Sequence, residues 1–165
     1  MSSLKYVETE IVFREIPDEI TLAINISNCP NRCPECHSKH LWKDIGKPLT
    51  WNSLKELIQR NKGISCVCFM GGDNDTLAIN FLAENLKKSI LFPFIKVGWY
   101  SGLSEIPDNI NITNFDYIKL GPYIKELGPL DNPNTNQKFY EVCRISKLPP
   151  RHTLIDKTYL FWKKL

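Results

Sequence analysis

From Thr50 to Leu120 the sequence alternates between two spacings, and no other feature restricts the fold as strongly. Trp51, Leu54, Leu57 and Ile58 recur at the interval of one helix face, behind Thr50 as a cap and ahead of Gly63 as a terminator. Residues 65–70 form a short apolar run held between Gly63 and Gly71-Gly72, the pattern of a strand buried on both faces. Helical spacing returns with Ala78, Phe81, Leu82, Leu86 and Ile90, where Asp75 supplies a cap and Pro93 a stop. Residues 94–100 and 117–120 read as further strands. Upstream, 6–13 and 21–26 are rich in β-branched residues, and downstream 139–145 is a last candidate.

Strands alternating with helices predict βαβ units on a parallel sheet. A closed eightfold barrel takes about 250 residues, so this chain has room for roughly half its repeats. The expected fold is therefore α/β, an incomplete and laterally open (β/α) barrel with mostly parallel strands, formed by residues 1–165 as a single domain. Ligands of such sheets bind beyond the carboxyl ends of the strands. Three segments leaving strands there, around Cys29 to Cys36, Gly71 to Asp73 and Ser101-Gly102, are expected to converge. The stretch 121–137, rich in Pro, Gly and Asn, reads as an ordered surface loop.

The longest nearly unbroken apolar run, residues 90–95, falls far short of the roughly 20 that span a bilayer. The first residues lack the apolar stretch of a secretory signal. A cytoplasmic protein with no membrane partner is expected. Residues 138–165 hold seven Lys or Arg against two Asp or Glu. That basic end suits a solvated face or an acidic protein surface better than a nucleic acid, which is not expected as a partner.

In a reducing compartment closely spaced cysteines point to metal binding or thiol chemistry rather than disulfides. Three of the six cysteines, Cys29, Cys33 and Cys36, stand at C-x3-C-x2-C in the loop after the 21–26 strand. Three thiolates are one short of the set that closes an ordinary iron–sulfur site, which leaves one iron for an external ligand. On spacing alone a structural zinc site completed by His37 or His40 is equally open. Cys66 and Cys68, two apart on a strand, read as core residues, and Cys143 as a small buried hydrophobe. His40 and His152 have no matching pattern. Tyr159 to Trp162 reads as a terminal segment covering the core.

The cysteine loop, with Trp42 after it, Met70-Gly71-Gly72-Asp73, Trp99-Tyr100-Ser101-Gly102 and Thr135-Asn136-Gln137 in order, resembles the radical S-adenosylmethionine superfamily. Within it, the resemblance is to the activating proteins of anaerobic (class III) ribonucleotide reductase, over nearly the whole chain. It implies an oxidoreductase whose one [4Fe–4S] cluster is held by Cys29, Cys33 and Cys36, with S-adenosylmethionine bound on the free iron. No catalytic residue beyond the cluster is implied. The resemblance places Glu35, Cys36, His37, Gly71, Gly72, Asp73, Ser101 and Gly102 beside that cofactor, with Gly71 and Gly72 letting backbone approach it and Asp73 accepting from its ammonium. Asp73 stands where the superfamily often has Glu, and Lys119-Leu120-Gly121 where the family has Val-Asp-Gly. The implied reaction is reductive cleavage of S-adenosylmethionine and removal of a hydrogen from a glycine of the reductase, leaving a glycyl radical. The implied partners are the reductase and a low-potential electron donor such as a flavodoxin. Two other readings stay open: an iron–sulfur or zinc-binding electron-transfer module, and a small-molecule radical enzyme such as a deazapurine synthase.

Overall fold

The computed structural model describes residues 3–162. The end of the basic segment, 163–165, and the first two residues lie outside them. The elements in chain order are strands β1 (Lys5–Val12), β2 (Thr21–Ile26) and β3 (Lys47–Pro48), helix α1 (Trp51–Arg60), β4 (Cys66–Met70), helix α2 (Thr76–Lys88), β5 (Lys96–Tyr100), β6 (Tyr117–Leu120), β7 (Lys138–Lys147) and β8 (Pro150–Asp156).

The local signals act as their chemistry dictates. Thr50 accepts from the Ser53 N–H while the Ser53 hydroxyl accepts from the Thr50 N–H, a reciprocal capping box at the start of α1. Asp75 caps α2 by accepting from the Ala78 N–H. Both helices lie against one face of the sheet. Leu54, Leu57 and Ile58 of α1 and Ala78, Ile79, Leu82, Ala83 and Leu86 of α2 form one core with Leu22, Ile24, Ile26, Val67, Phe69, Val97, Trp99 and Ile118. Phe81 and Ile90, expected on that apolar face, are exposed: α2 stops at Lys88, and Phe81 sits with Leu77 on the rim of an open groove toward α1.

The strands join in the order β3-β1-β2-β4-β5-β6-β7-β8, one open mixed sheet of eight strands. Here the expected mostly parallel (β/α) barrel is overturned. Only β2–β4, β4–β5 and β5–β6 run parallel, whereas β1–β2, β1–β3, β6–β7 and β7–β8 run antiparallel, and the described residues hold two α-helices. A parallel step needs a crossover, usually a helix. The alternation that licensed it ends with β5: residues 101–116 contain only a 3-10 turn at Ile112–Asn114, and 121–137 hold no helix. Strand β8 follows β7 after only Leu148-Pro149, so the two close as a hairpin.

The face away from the helices carries a smaller cluster of Ile16, Cys66, Cys68, Leu130 and Phe139, with Met70, Tyr100, Tyr117 and Phe161 against it. Phe161 meets Phe139 edge-on at 5.0 Å, so the terminal segment does cover core. Cys66 and Cys68 are fully buried; burial, with Glu19 second, pushes the Cys66 thiol up to about 12, and burial pushes Cys68 up as well. Cys143, read as buried, is half-exposed on the β7–β8 hairpin. Among the described residues no helix is long and apolar enough to cross a membrane.

Candidate functional site

Strands β2, β4, β5 and β6 run parallel and therefore end on the same side of the sheet. Four segments leave them there. The cysteine loop follows Ile26, Gly71-Gly72-Asp73 follows Met70, Ser101-Gly102 follows Tyr100, and Gly121 follows Leu120. The three segments expected to converge are joined by one carboxylate. Asp73 Oδ1 accepts from Ser101 Oγ at 2.7 Å, and Oδ2 accepts from the Gly102 N–H at 2.8 Å and from Asn31 Nδ2 at 2.5 Å. Asn31 Nδ2 also lies 3.7 Å from Cys29 Sγ. Asp73 thus ties the β4 and β5 termini to the cysteine loop. Of the roughly four lone-pair sites of a carboxylate, three are taken by the protein.

The cysteine loop is wound in an unusual way. Asn28, Arg32 and Glu35 have φ of 59°, 44° and 61°, so each of the three cysteines directly follows a non-glycine residue in the left-handed region. That conformation costs a non-glycine residue roughly 1–2 kcal/mol, less for Asn. Such outliers persist where surrounding structure over-determines them, and they gather at functional sites. Backbone bonds hold the ends: Asn28 N–H donates to Lys43 O at 3.0 Å, Cys29 N–H to Leu41 O at 2.9 Å and Cys36 N–H to Cys33 O at 3.2 Å. All three thiols are free and half-buried. Glu35, expected beside a cofactor, is exposed; what the fold uses is its backbone geometry.

The histidines are turned to other partners. His37 packs on Tyr123 of the 121–137 loop, ring centroids 5.6 Å apart, and His40 Nε2 lies 3.2 Å from Glu8 Oε1 on β1. Among the described residues no three His, Cys, Asp or Glu side chains converge tightly enough for a single metal ion. A lone zinc ion draws its sulfurs to about 2.3 Å, whereas a four-iron cage binds each thiolate at a separate corner and needs them further apart. Three soft thiol donors on one loop are the donor chemistry that such a cage takes.

The glycines at the end of β4 have a packing role of their own. Gly71 and Gly72 have φ of 110° and 91°, and a Cβ on Gly72 would stand 2.4 Å from Ile79 Cδ1 of α2. On the side where a Gly72 side chain would project, the space is filled by the helix. Gly72→Ala is expected to lower stability by about 1–3 kcal/mol, combining left-handed strain with overpacking, which a urea unfolding midpoint measures. At Gly102 a Cβ would meet Asn31 Nδ2 at 2.5 Å, so this glycine makes room for the Asn31 link.

Lys119 completes the site. Its side chain is on the face away from the helices, in register with Tyr100 and, beyond it, Met70. Nζ donates to Gly121 O at 2.8 Å and to Ser101 O at 3.3 Å and lies 5.9 Å from the centre of the Tyr100 ring. Burial pulls the ammonium down to about 8, opposed by the acidic groups Asp73, Cys33 and Cys29. Sequence reasoning noted Lys119 only as a departure, and missed Asn31 altogether. A lysine inside the apolar run 117–120 was a usable signal; an asparagine in a Pro- and Cys-rich turn was not.

In the 121–137 loop, Thr135 Oγ1 donates to Gly128 O at 3.1 Å, and Asn136 Nδ2 to Pro122 O at 3.0 Å. Asn136 Oδ1 is buried with no hydrogen-bond partner in the structure. Compared with known proteins, the chain matches no protein-family model, no curated protein and no solved structure.

Proposed function

We propose that residues 29–36 hold a [4Fe–4S] cluster through Cys29, Cys33 and Cys36, and that the protein uses it to cleave S-adenosylmethionine reductively and place a radical on a glycine of anaerobic ribonucleotide reductase. The observation that carries the reading is the loop: three free thiols, each set by a left-handed residue, lie at the carboxyl ends of parallel strands and are latched by Asn31 to Asp73. The ordered sequence resemblance supplies the reaction class. The mixed sheet adds nothing to it, since fold does not determine function.

Held by Cys29, Cys33 and Cys36, the cluster would supply one-electron reductive cleavage of S-adenosylmethionine to methionine and 5′-deoxyadenosine, the hydrogen atom coming from the glycine Cα. The chain's own residues bind and orient. The cysteine thiolates would anchor the cluster, Asn31 and Asp73 hold the loop against the ends of β4 and β5, and the remaining lone-pair site of Asp73 would accept from the cofactor's ammonium. Gly71, Gly72, Ser101 and Gly102 shape the backbone around that carboxylate. His37 joins the loop to Tyr123. The external electron comes from a low-potential donor of the flavodoxin kind, working in the cytoplasm.

Anaerobic reconstitution with iron and sulfide, followed by dithionite and S-adenosylmethionine, tests this. The expected result is a brown protein that bleaches on reduction and forms 5′-deoxyadenosine, and with the reductase added a glycine-centred doublet in electron paramagnetic resonance. A colourless protein with stoichiometric zinc would refute the proposal. Bleaching without 5′-deoxyadenosine leaves an electron-transfer module, and 5′-deoxyadenosine without the doublet leaves a small-molecule radical enzyme.

A further inference from the structure

Among the described residues Lys119 is the one lysine or arginine that is buried. Among those residues no carboxylate lies within ion-pair distance of it, although eight such pairs form elsewhere among them. The other buried titratable groups have evident structural roles. Glu19 is met by Lys96, Tyr117 and Ser65, Cys66 and Cys68 pack in the core, and Tyr100 donates to Glu15 O. Lys119 alone has a charge that nothing in contact balances.

An ammonium has three N–H donors. Two go to Ser101 O and Gly121 O, both at the strand termini that build the candidate site. The acidic groups within electrostatic range are the Asp73 carboxylate and the Cys33 and Cys29 thiols. Burying a cation without a partner is costly, and such a group is tolerated where something else supplies the opposite charge. Three thiolates on iron supply it, and each added electron makes that assembly more negative.

We propose that Lys119 is a positioning residue that balances the charge of the cysteine-bound cluster and raises its reduction potential. This rests on the cluster of the preceding subsection, though not on the identity of its substrate. Through the carbonyls it grips, Lys119 is held at a set place at the strand ends that carry the site, and its positive charge favours the reduced, more negative state. The electron still comes from the external donor; Lys119 neither gives nor takes one.

The test uses the full chain, reconstituted anaerobically as wild type, Lys119→Gln, Lys119→Met, Lys119→Arg and, as a charge control, Lys62→Gln, which lies beyond α1 away from the site. Iron per chain and the midpoint potential by redox titration are read for each. Loss of the Lys119 charge is expected to disfavour reduction at least tenfold, which for a one-electron couple is 59 mV more negative. Lys119→Arg and Lys62→Gln stay near wild type. Equal potentials in wild type and in iron-loaded Lys119→Gln and Lys119→Met overturn the inference. Iron lost from both neutral variants but kept in Lys119→Arg supports it, because arginine restores charge; iron lost from all three overturns it, because shape is then what the site needs. A wild type that takes up no iron removes the cluster itself, a separate failure.

Discussion

Asp73→Ala is expected to lower iron retention and 5′-deoxyadenosine formation by 10–100-fold, the usual cost of losing a group that orients metal ligands. The substitution removes three hydrogen bonds together, from Ser101 Oγ, the Gly102 N–H and Asn31 Nδ2. Asn31 then loses its anchor beside Cys29, and the buried Ser101 hydroxyl loses its acceptor. Asp73→Asn separates charge from geometry. With its amide oxygen in the Oδ2 position it still accepts from the Gly102 N–H and from Asn31 Nδ2, but its NH2 cannot accept from Ser101 Oγ, so an intermediate loss is expected. Iron content after gel filtration and a 5′-deoxyadenosine assay measure both variants. An Asp73→Ala protein that keeps wild-type iron and activity would show that the latch is only structural.

The largest expected effect on stability lies at the opposite end of the strands. Glu19 is buried, and its carboxylate accepts from Lys96 Nζ at 2.5 Å, Ser65 Oγ at 2.6 Å and Tyr117 Oη at 2.9 Å. Burial alone would raise its pKa, but the hydrogen bonds from Lys96, Ser65 and Tyr117 together hold it below the usual carboxylate range. Lys96→Met leaves the carboxylate buried without its cation. Breaking a fully buried pair costs about 3–5 kcal/mol; the Lys96 side chain is 49% exposed, and solvent screening reduces the expected loss to about 2–3 kcal/mol. The loss depends on pH. Because the folded pKa of Glu19 lies below its unfolded value, its contribution is complete above about 4.5 and disappears as pH falls through the folded pKa. Wild type and Lys96→Met are therefore expected to differ most near neutrality and to converge in acid, as urea midpoints at pH 7 and below pH 4 measure. A gap that stays constant with pH would assign the effect to packing rather than to the ion pair.

The parts of the fold that were legible in the sequence are those set by neighbours in the chain. Helix α1 with its Thr50 cap, α2 with its Asp75 cap, and β2 and β4 follow from residues a few positions apart. Strand β8 was not legible, because Pro150 and the polar run Arg151-His152-Thr153 carry no strand pattern; pairing with β7 makes it one. Phe81 and Ile90 satisfy the helical period and still end up exposed, since periodicity shows which face a residue is on but not what comes to cover it.

The sequence by itself determined the spacing of Cys29, Cys33 and Cys36 and the two capped helices. Each rests on interactions within about a helical turn or one tight loop, where covalent geometry leaves few choices. Only the tertiary structure decided that the sheet is mixed, that Asn31 bridges the cysteine loop to Asp73 42 residues away, and that Lys119 is buried against the carbonyls of Ser101 and Gly121. Those outcomes depend on which distant strands pair and in which direction, and that is settled by burial summed over the whole sheet rather than by any local run of residues.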